Sequence, residues 1–122
     1  MVVQKILFIE DDDFNREVIT EYLQLQGYDV CALPHGLTIK RDLADFQPDL
    51  ILLDLKLPEV DGFTLIEKLK KSQWATIPIV ILSAYSFPAD KKRALRLGAR
   101  RYLVKPALLR EIEQAIEEEI TN

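Results

Sequence analysis

Short, fully apolar segments alternate along this chain with apolar stripes at helical spacing, and that alternation constrains the fold more than any other feature. Ile6–Ile9, Leu50–Leu53 and Ile79–Leu82 are continuous runs of Ile, Val, Leu and Phe. A strand covered on only one face alternates apolar and polar residues. A run that is apolar at every position suits a parallel strand with both faces buried. Val30–Leu33 and Tyr102–Val104 are weaker strand candidates. Between these segments lie the helical stripes. Val18, Ile19, Tyr22, Leu23 and Leu25 form the first, and Gly27 follows as a stop. Ile39, Leu43 and Phe46 precede Pro48. Leu65, Ile66 and Leu69 follow Gly62, and Ala94, Leu95 and Leu97 precede Gly98. Leu109, Ile112, Ile116 and Ile120 mark the last.

The predicted fold is therefore α/β: five βα units forming a doubly wound, five-stranded parallel sheet. Short connections and right-handed crossovers place helices on both of its faces. The chain has 122 residues, enough for one domain over 1–122 and far short of an eight-unit barrel. No linker, repeat or low-complexity tract interrupts it. With the last stripe running nearly to Asn122, the expectation is a single-domain protein.

Composition removes several function classes. Cys31 is the only cysteine and His35 the only histidine, so internal disulfides, multi-cysteine metal sites and histidine-rich zinc sites are excluded. The formal net charge of −4 argues against direct nucleic-acid binding. The N-terminal MVVQKILFIE is too broken for a signal peptide, and no apolar run approaches the ~20 residues of a membrane span. A cytoplasmic protein without a membrane partner is expected.

The polar residues fall at particular places. The first strand ends in Glu10-Asp11-Asp12-Asp13, the third in Asp54, the fourth in Ser83 and the fifth in Lys105-Pro106. Open α/β sheets carry their sites at the C-terminal ends of the strands, so these groups should converge. Asp12 or Asp13 suits the N-cap of the following helix. Glu10, Asp11 and Asp54 would repel one another unless a cation or the Lys105 ammonium intervened. Carboxylate oxygens without imidazole or thiolate suit a hard ion, Mg²⁺ above all, with Mn²⁺ as an alternative. Carboxylates, Mg²⁺, a hydroxyl and a lysine together make a phosphoryl-transfer constellation, in which one carboxylate serves as nucleophile.

On these residues the chain resembles the receiver domains of two-component response regulators, the CheY-like family. The resemblance rests on KILFIEDD at 5–12 followed by Asn15-Arg16, PDLILLDLKLPEVDG at 48–62, PIVILSAYS at 78–86 and GARRYLVKP at 98–106. It implies a strand order of 2-1-3-4-5. It implies that Asp54 accepts the phosphoryl group, and that Glu10, Asp11 and Asp54 hold Mg²⁺ with the backbone carbonyl of Lys56. Ser83 and Lys105 would contact the phosphoryl oxygens. Tyr102 would act with Ser83 as a switch, swinging between outward and inward positions, and Lys105–Pro106 would be a cis bond. Glu10 stands where Asp is commoner in the family and Ser83 where Thr is common.

The function expected from the resemblance is a phosphorylation-controlled switch. It would take its phosphoryl group from a histidine kinase or phosphotransfer protein, catalysing its own phosphorylation and slow dephosphorylation. The face around the fourth helix, fifth strand and fifth helix would then control a downstream partner protein. Monomer or weak phosphorylation-dependent dimer are the expected states. Lys56 and Tyr85, two residues beyond the acceptor and the hydroxyl, flank the approach of hydrolytic water and would slow loss of the phosphate. Positive charge concentrates at Lys91, Lys92, Arg93, Arg96, Arg100 and Arg101, and acidic charge at Glu111, Glu113, Glu117, Glu118 and Glu119. These are either two solvated faces or a charged partner surface. Three other readings compete. A flavodoxin-like electron carrier needs a hydroxyl- and glycine-rich phosphate loop where this chain has four acids. An aspartyl-phosphate phosphohydrolase needs an acid at Lys56. An inactive pseudo-receiver would not need all five core groups.

Overall fold

The computed structural model describes residues 2–121. Five strands and five helices alternate: β1 (Lys5–Ile9), α1 (Asp13–Leu25), β2 (Asp29–Leu33), α2 (Ile39–Phe46), β3 (Leu50–Leu53), α3 (Gly62–Lys70), β4 (Ile79–Ser83), α4 (Pro88–Leu97), β5 (Arg101–Val104) and α5 (Leu109–Thr121). All strand pairs are parallel, in the order β2-β1-β3-β4-β5. Fold class and strand order are those expected from the sequence.

The apolar runs build two cores because side chains in a strand point alternately to opposite faces. Leu7, Ile9, Ile51, Leu53, Ile79 and Ile81 face α2, α3 and α4, where Ile39, Leu43, Leu65, Ile66, Leu69 and Ala94 meet them. Ile6, Phe8, Leu50, Leu52, Val80 and Leu82 face α1 and α5, packing on Ile19, Leu23, Ile112 and Ile116. Every residue of β3 is buried, whereas the outer strands β2 and β5 hold only partly buried and exposed positions. Those two edges are the segments whose sequence reads least clearly as strand.

Two positions of the helical stripes do not face a core. Leu25 is exposed, because the inward line of α1 runs through Ile19 and Leu23 and position 25 lies nearly opposite 23 on the helix. Leu95 is exposed because it lies one residue, about 100°, around the helix from Ala94, the buried residue of α4. Asp12 is the N-cap of α1, its carboxylate accepting from the Asn15 amide at 2.8 Å. Asp61 caps α3 in the same way.

Gly62 fixes how α3 meets the end of β3. A Cβ there would lie 2.5 Å from Leu55 Cα and 2.6 Å from the Asp54 carbonyl oxygen, so only glycine lets the helix begin this close. The Gly62 amide uses that closeness, donating to the Leu55 carbonyl at 2.8 Å.

Candidate functional site

The ladder sets the site. Ile9 pairs with Leu53, and the next residue on each strand is an acid. The Glu10 amide donates to the Leu33 carbonyl at 3.0 Å and the Asp54 amide to the Ile9 carbonyl at 3.1 Å. Backbone hydrogen bonds to the neighbouring strand therefore hold both acids in place. Glu10, Asp54 and Ser83 are the buried polar residues among those described, and all three terminate strands or follow them directly.

The carboxylates converge as expected. Oxygen atoms of Glu10, Asp11 and Asp54 lie within 4.8 Å of one another, Asp11 on the exposed side. The Lys105 ammonium crosses from the end of β5 and donates to Asp54 Oδ2 at 2.9 Å and to Glu10 Oε1. Asp54 Oδ1 accepts from the Lys56 amide at 3.2 Å, and Glu10 Oε2 from the Asp12 amide at 3.2 Å. The peptide bond between Lys105 and Pro106 is cis.

One ammonium cannot balance three carboxylates. Burial pushes the Glu10 carboxyl up to about 7 and the nearby Asp54 adds to the rise, while the Lys105 hydrogen bond opposes them. Burial alone would lower Lys105. Its bonds to Glu10 and Asp54 overcome that and hold the ammonium above the usual lysine value. The excess of negative charge, offered entirely by oxygen donors, is what a hard divalent cation requires, so these residues fit Mg²⁺.

A second group of residues connects the hydroxyl to the tyrosine. Ser83 Oγ accepts from the Tyr85 amide at 3.2 Å, and the Tyr85 carbonyl accepts from the Tyr102 hydroxyl at 2.7 Å. Ser83 and Tyr102 are thus joined through the backbone of one residue. Tyr102 is half-buried against the α2–α3–α4 core. Burial and the Asp90 carboxylate raise its hydroxyl above the ordinary tyrosine value. Tyr85 packs against the same core, while Lys56 is exposed.

Sequence reasoning missed two contacts. Arg16 donates to the Glu10 carbonyl at 2.9 Å and to Asp13 Oδ1 at 2.6 Å, bracing the acidic loop from the first turn of α1. The only cue was its place in the quoted motif. Arg101 donates to Glu119 Oε2 at 2.7 Å and to Glu118 Oε1 at 3.0 Å. The basic and acidic runs of the C-terminal third are therefore partly bonded to each other, and Arg93 lies over the Phe63 ring at 4.1 Å. They are not two separate solvated faces. Burial and the nearby Asp42 and Asp29 push the Cys31 thiol up, away from reactivity.

Comparison with known proteins agrees with this geometry. The family model of the response regulator receiver domain matches residues 6–117. The chain is 39% identical over 103 residues to the DNA-binding dual master transcriptional regulator RpaA of Synechocystis sp., covering 84% of this chain and 43% of RpaA. It spans between about a quarter and about half the length of the first curated relatives it matches. Among solved structures, the BeF3-activated receiver domain of Klebsiella pneumoniae RstA superposes with a TM-score of 0.92 at 32% identity, covering 98% of this chain and all of that one (100%). The receiver domain of the Pseudomonas aeruginosa sensor histidine kinase PA1611, solved with magnesium in its active-site cleft, gives 0.89 at 29% identity, covering 99% and 100%. With its strand order, its acidic cluster and a family match over nearly its whole length, this chain belongs to the response regulator receiver domain family.

Proposed function

We propose that Asp54 is the phosphoryl acceptor of a two-component switch, a reading carried by the convergence of Glu10, Asp11 and Asp54 on the Lys105 ammonium at the strand ends. A carboxylate oxygen of Asp54 attacks phosphorus. The bond from phosphorus to a donor histidine nitrogen breaks, and the released imidazole takes up a proton. Lys105 and the Ser83 hydroxyl meet the phosphoryl oxygens and offset their charge. Glu10, Asp11, Asp54 and the Lys56 backbone carbonyl would hold Mg²⁺, or Mn²⁺ in its place. The bound ion supplies further neutralisation of the phosphoryl oxygens.

Hydrolysis requires water in line with the phosphorus, opposite the Asp54 oxygen. Lys56 and Tyr85 flank that path, and neither is an acid or amide suited to orient water. The aspartyl phosphate is accordingly long-lived. Ser83 and Tyr102 transmit the change, because the Tyr85 backbone ties one to the other. The chain works as a receiver unit in the cytoplasm, as a monomer or weak phosphorylation-dependent dimer. It takes its phosphoryl group from a histidine kinase or phosphotransfer protein and acts on a partner protein through α4, β5 and α5. No described helix is long and apolar enough to cross a membrane.

The test is intact mass after treatment with an acyl-phosphate donor and Mg²⁺. One phosphoryl group should add, and Asp54→Asn should abolish the gain. Stoichiometric modification of that variant would refute the assignment. Decay of the phosphorylated protein should quicken in Lys56→Asn and Tyr85→Glu; unchanged or slower decay in both would remove their protective role.

A further inference from the structure

A surface remote from the carboxylates has the form of a binding groove. Two adjoining depressions of about 400 and 550 Å³ lie along α2 and α3 and share Lys40 and Lys68 as a common wall. The first has an apolar lining that includes Leu37 and Val60, with Leu37 56% exposed. Trp74 lines the second. Arg41 and Lys71 add to the rim, so four cations border the groove, and among the described residues no carboxylate lines it. Asp42, Asp45 and Glu67 lie on the same two helices but outside the lining, and Asp42 is already bonded to the Thr38 hydroxyl.

The positive rim runs against the charge of a chain whose formal net charge is −4. It also differs from Arg93, Arg100 and Arg101 of the C-terminal third, where Arg100 and Arg101 pair with Glu118 and Glu119 and Arg93 covers Phe63. None of Lys40, Arg41, Lys68 and Lys71 is within ion-pair distance of a described carboxylate. Both ends of the groove are held in shape. Gly36 brings the β2–α2 loop onto Leu65, where a Cβ would meet Leu65 Cδ1 at 2.5 Å. At the other end Ser72 Oγ donates to the Leu69 carbonyl at 2.7 Å and accepts from the Trp74 amide at 3.1 Å. A preformed groove spares a ligand the cost of ordering it.

We propose that the α2–α3 groove is a second docking surface, and that its occupant is an acidic amphipathic helix of a partner protein. An apolar depression lined by Leu37 and Val60 and a basic one holding Trp74, separated by the Lys40–Lys68 wall, match a helix that carries an apolar anchor on either side of a carboxylate. Charge complementarity selects the acidic partner, and the apolar lining gives it something to bury. A nucleic-acid duplex would use the cations and leave Leu37 and Val60 unpaired. The outer face of α5 in a second copy would supply acids without anchors, since Ile112 and Ile116 are buried.

The probe is a labelled helix-forming peptide of about 18 residues, five turns, with Leu along one face and Glu along the other. Trp74, the only tryptophan, reports from inside the groove. Saturable binding with a shift in Trp74 emission is expected, falling with salt. Lys40→Glu with Lys68→Glu should weaken it by roughly tenfold or more. Leu37→Ser should weaken it while keeping the salt dependence, and Arg96→Glu on α4 should leave it unchanged. All are exposed positions, and thermal unfolding confirms that each variant folds. The proposal is overturned by an unresponsive Trp74, by equal binding of the same peptide with Lys for Glu, by equal loss in Arg96→Glu, or by duplex DNA competing for the same lysines. Asp54→Asn should bind the peptide as the parent does, so this test is independent of the phosphoryl assignment.

Discussion

Two cations in this molecule each lie between two carboxylates, in very different surroundings. Lys105 joins Glu10 and Asp54, with side chains 18%, 1% and 5% exposed. Arg101 joins Glu118 and Glu119, with side chains 33%, 46% and 9% exposed. Water screens much of the second set, which ties β5 to the end of α5. In the first, burial magnifies every imbalance, and Asp11 makes the imbalance worse. A triad of charges becomes a chemical site when it is buried and left short of one positive charge. Paired and wetted, the same stoichiometry is a brace.

The largest expected effect is on chemistry. Asp54→Asn should eliminate phosphoryl uptake entirely in an acyl-phosphate assay, whereas Glu119→Gln should leave uptake unchanged. Loss in both would break the distinction.

Next is stability. Lys105→Ala strands buried carboxylates and should cost about 3 kcal/mol in metal-free denaturant titration, the range for breaking a buried pair. Mg²⁺ should recover part of that loss. Arg101→Ala should gain from Mg²⁺ only what the parent protein gains.

The third effect is pH dependence. Glu10 must lose its proton to bind metal, and that proton is held up to about pH 7. Mg²⁺ affinity measured by calorimetry should rise by up to about tenfold per pH unit below 7 and flatten above it. The sign for stability is opposite. A carboxyl raised from 4.5 binds more protons folded than unfolded, so the Glu10 contribution to metal-free stability declines as pH climbs from 4.5 to about 7. An affinity independent of pH would remove Glu10 from the ligand set.

The smallest effect belongs to the exposed brace. Arg101→Ala should cost at most about 1 kcal/mol, and less in high salt. A larger, salt-insensitive loss would mean that the two networks are more alike than their exposure indicates.

Much of this contrast is legible in the sequence. An acid that ends a fully apolar run has nowhere to lie but a strand terminus, which is why Glu10, Asp54 and Ser83 could be placed. Arg101 and Glu119 are 18 residues apart on different elements, and no local pattern announces their bond. The same holds for Arg16, whose partner is a backbone carbonyl, and for the Tyr85 carbonyl that receives Tyr102. The exposure of Leu25 and Leu95 is hidden from the sequence for a different reason. A shift of one or two residues around the helix separates core from solvent, and hydrophobicity alone does not resolve it.

The pairing of Ile9 with Leu53 has a consequence for how such a chain can change over generations. The separation of Glu10 and Asp54 is fixed by backbone ladders and owes nothing to loop length. Loop length therefore does not set where the carboxylates meet. A single deletion within Leu50–Leu53 would instead turn Asp54 to the opposite side of the sheet, since successive strand residues point opposite ways. Length variation is therefore forbidden in four buried residues.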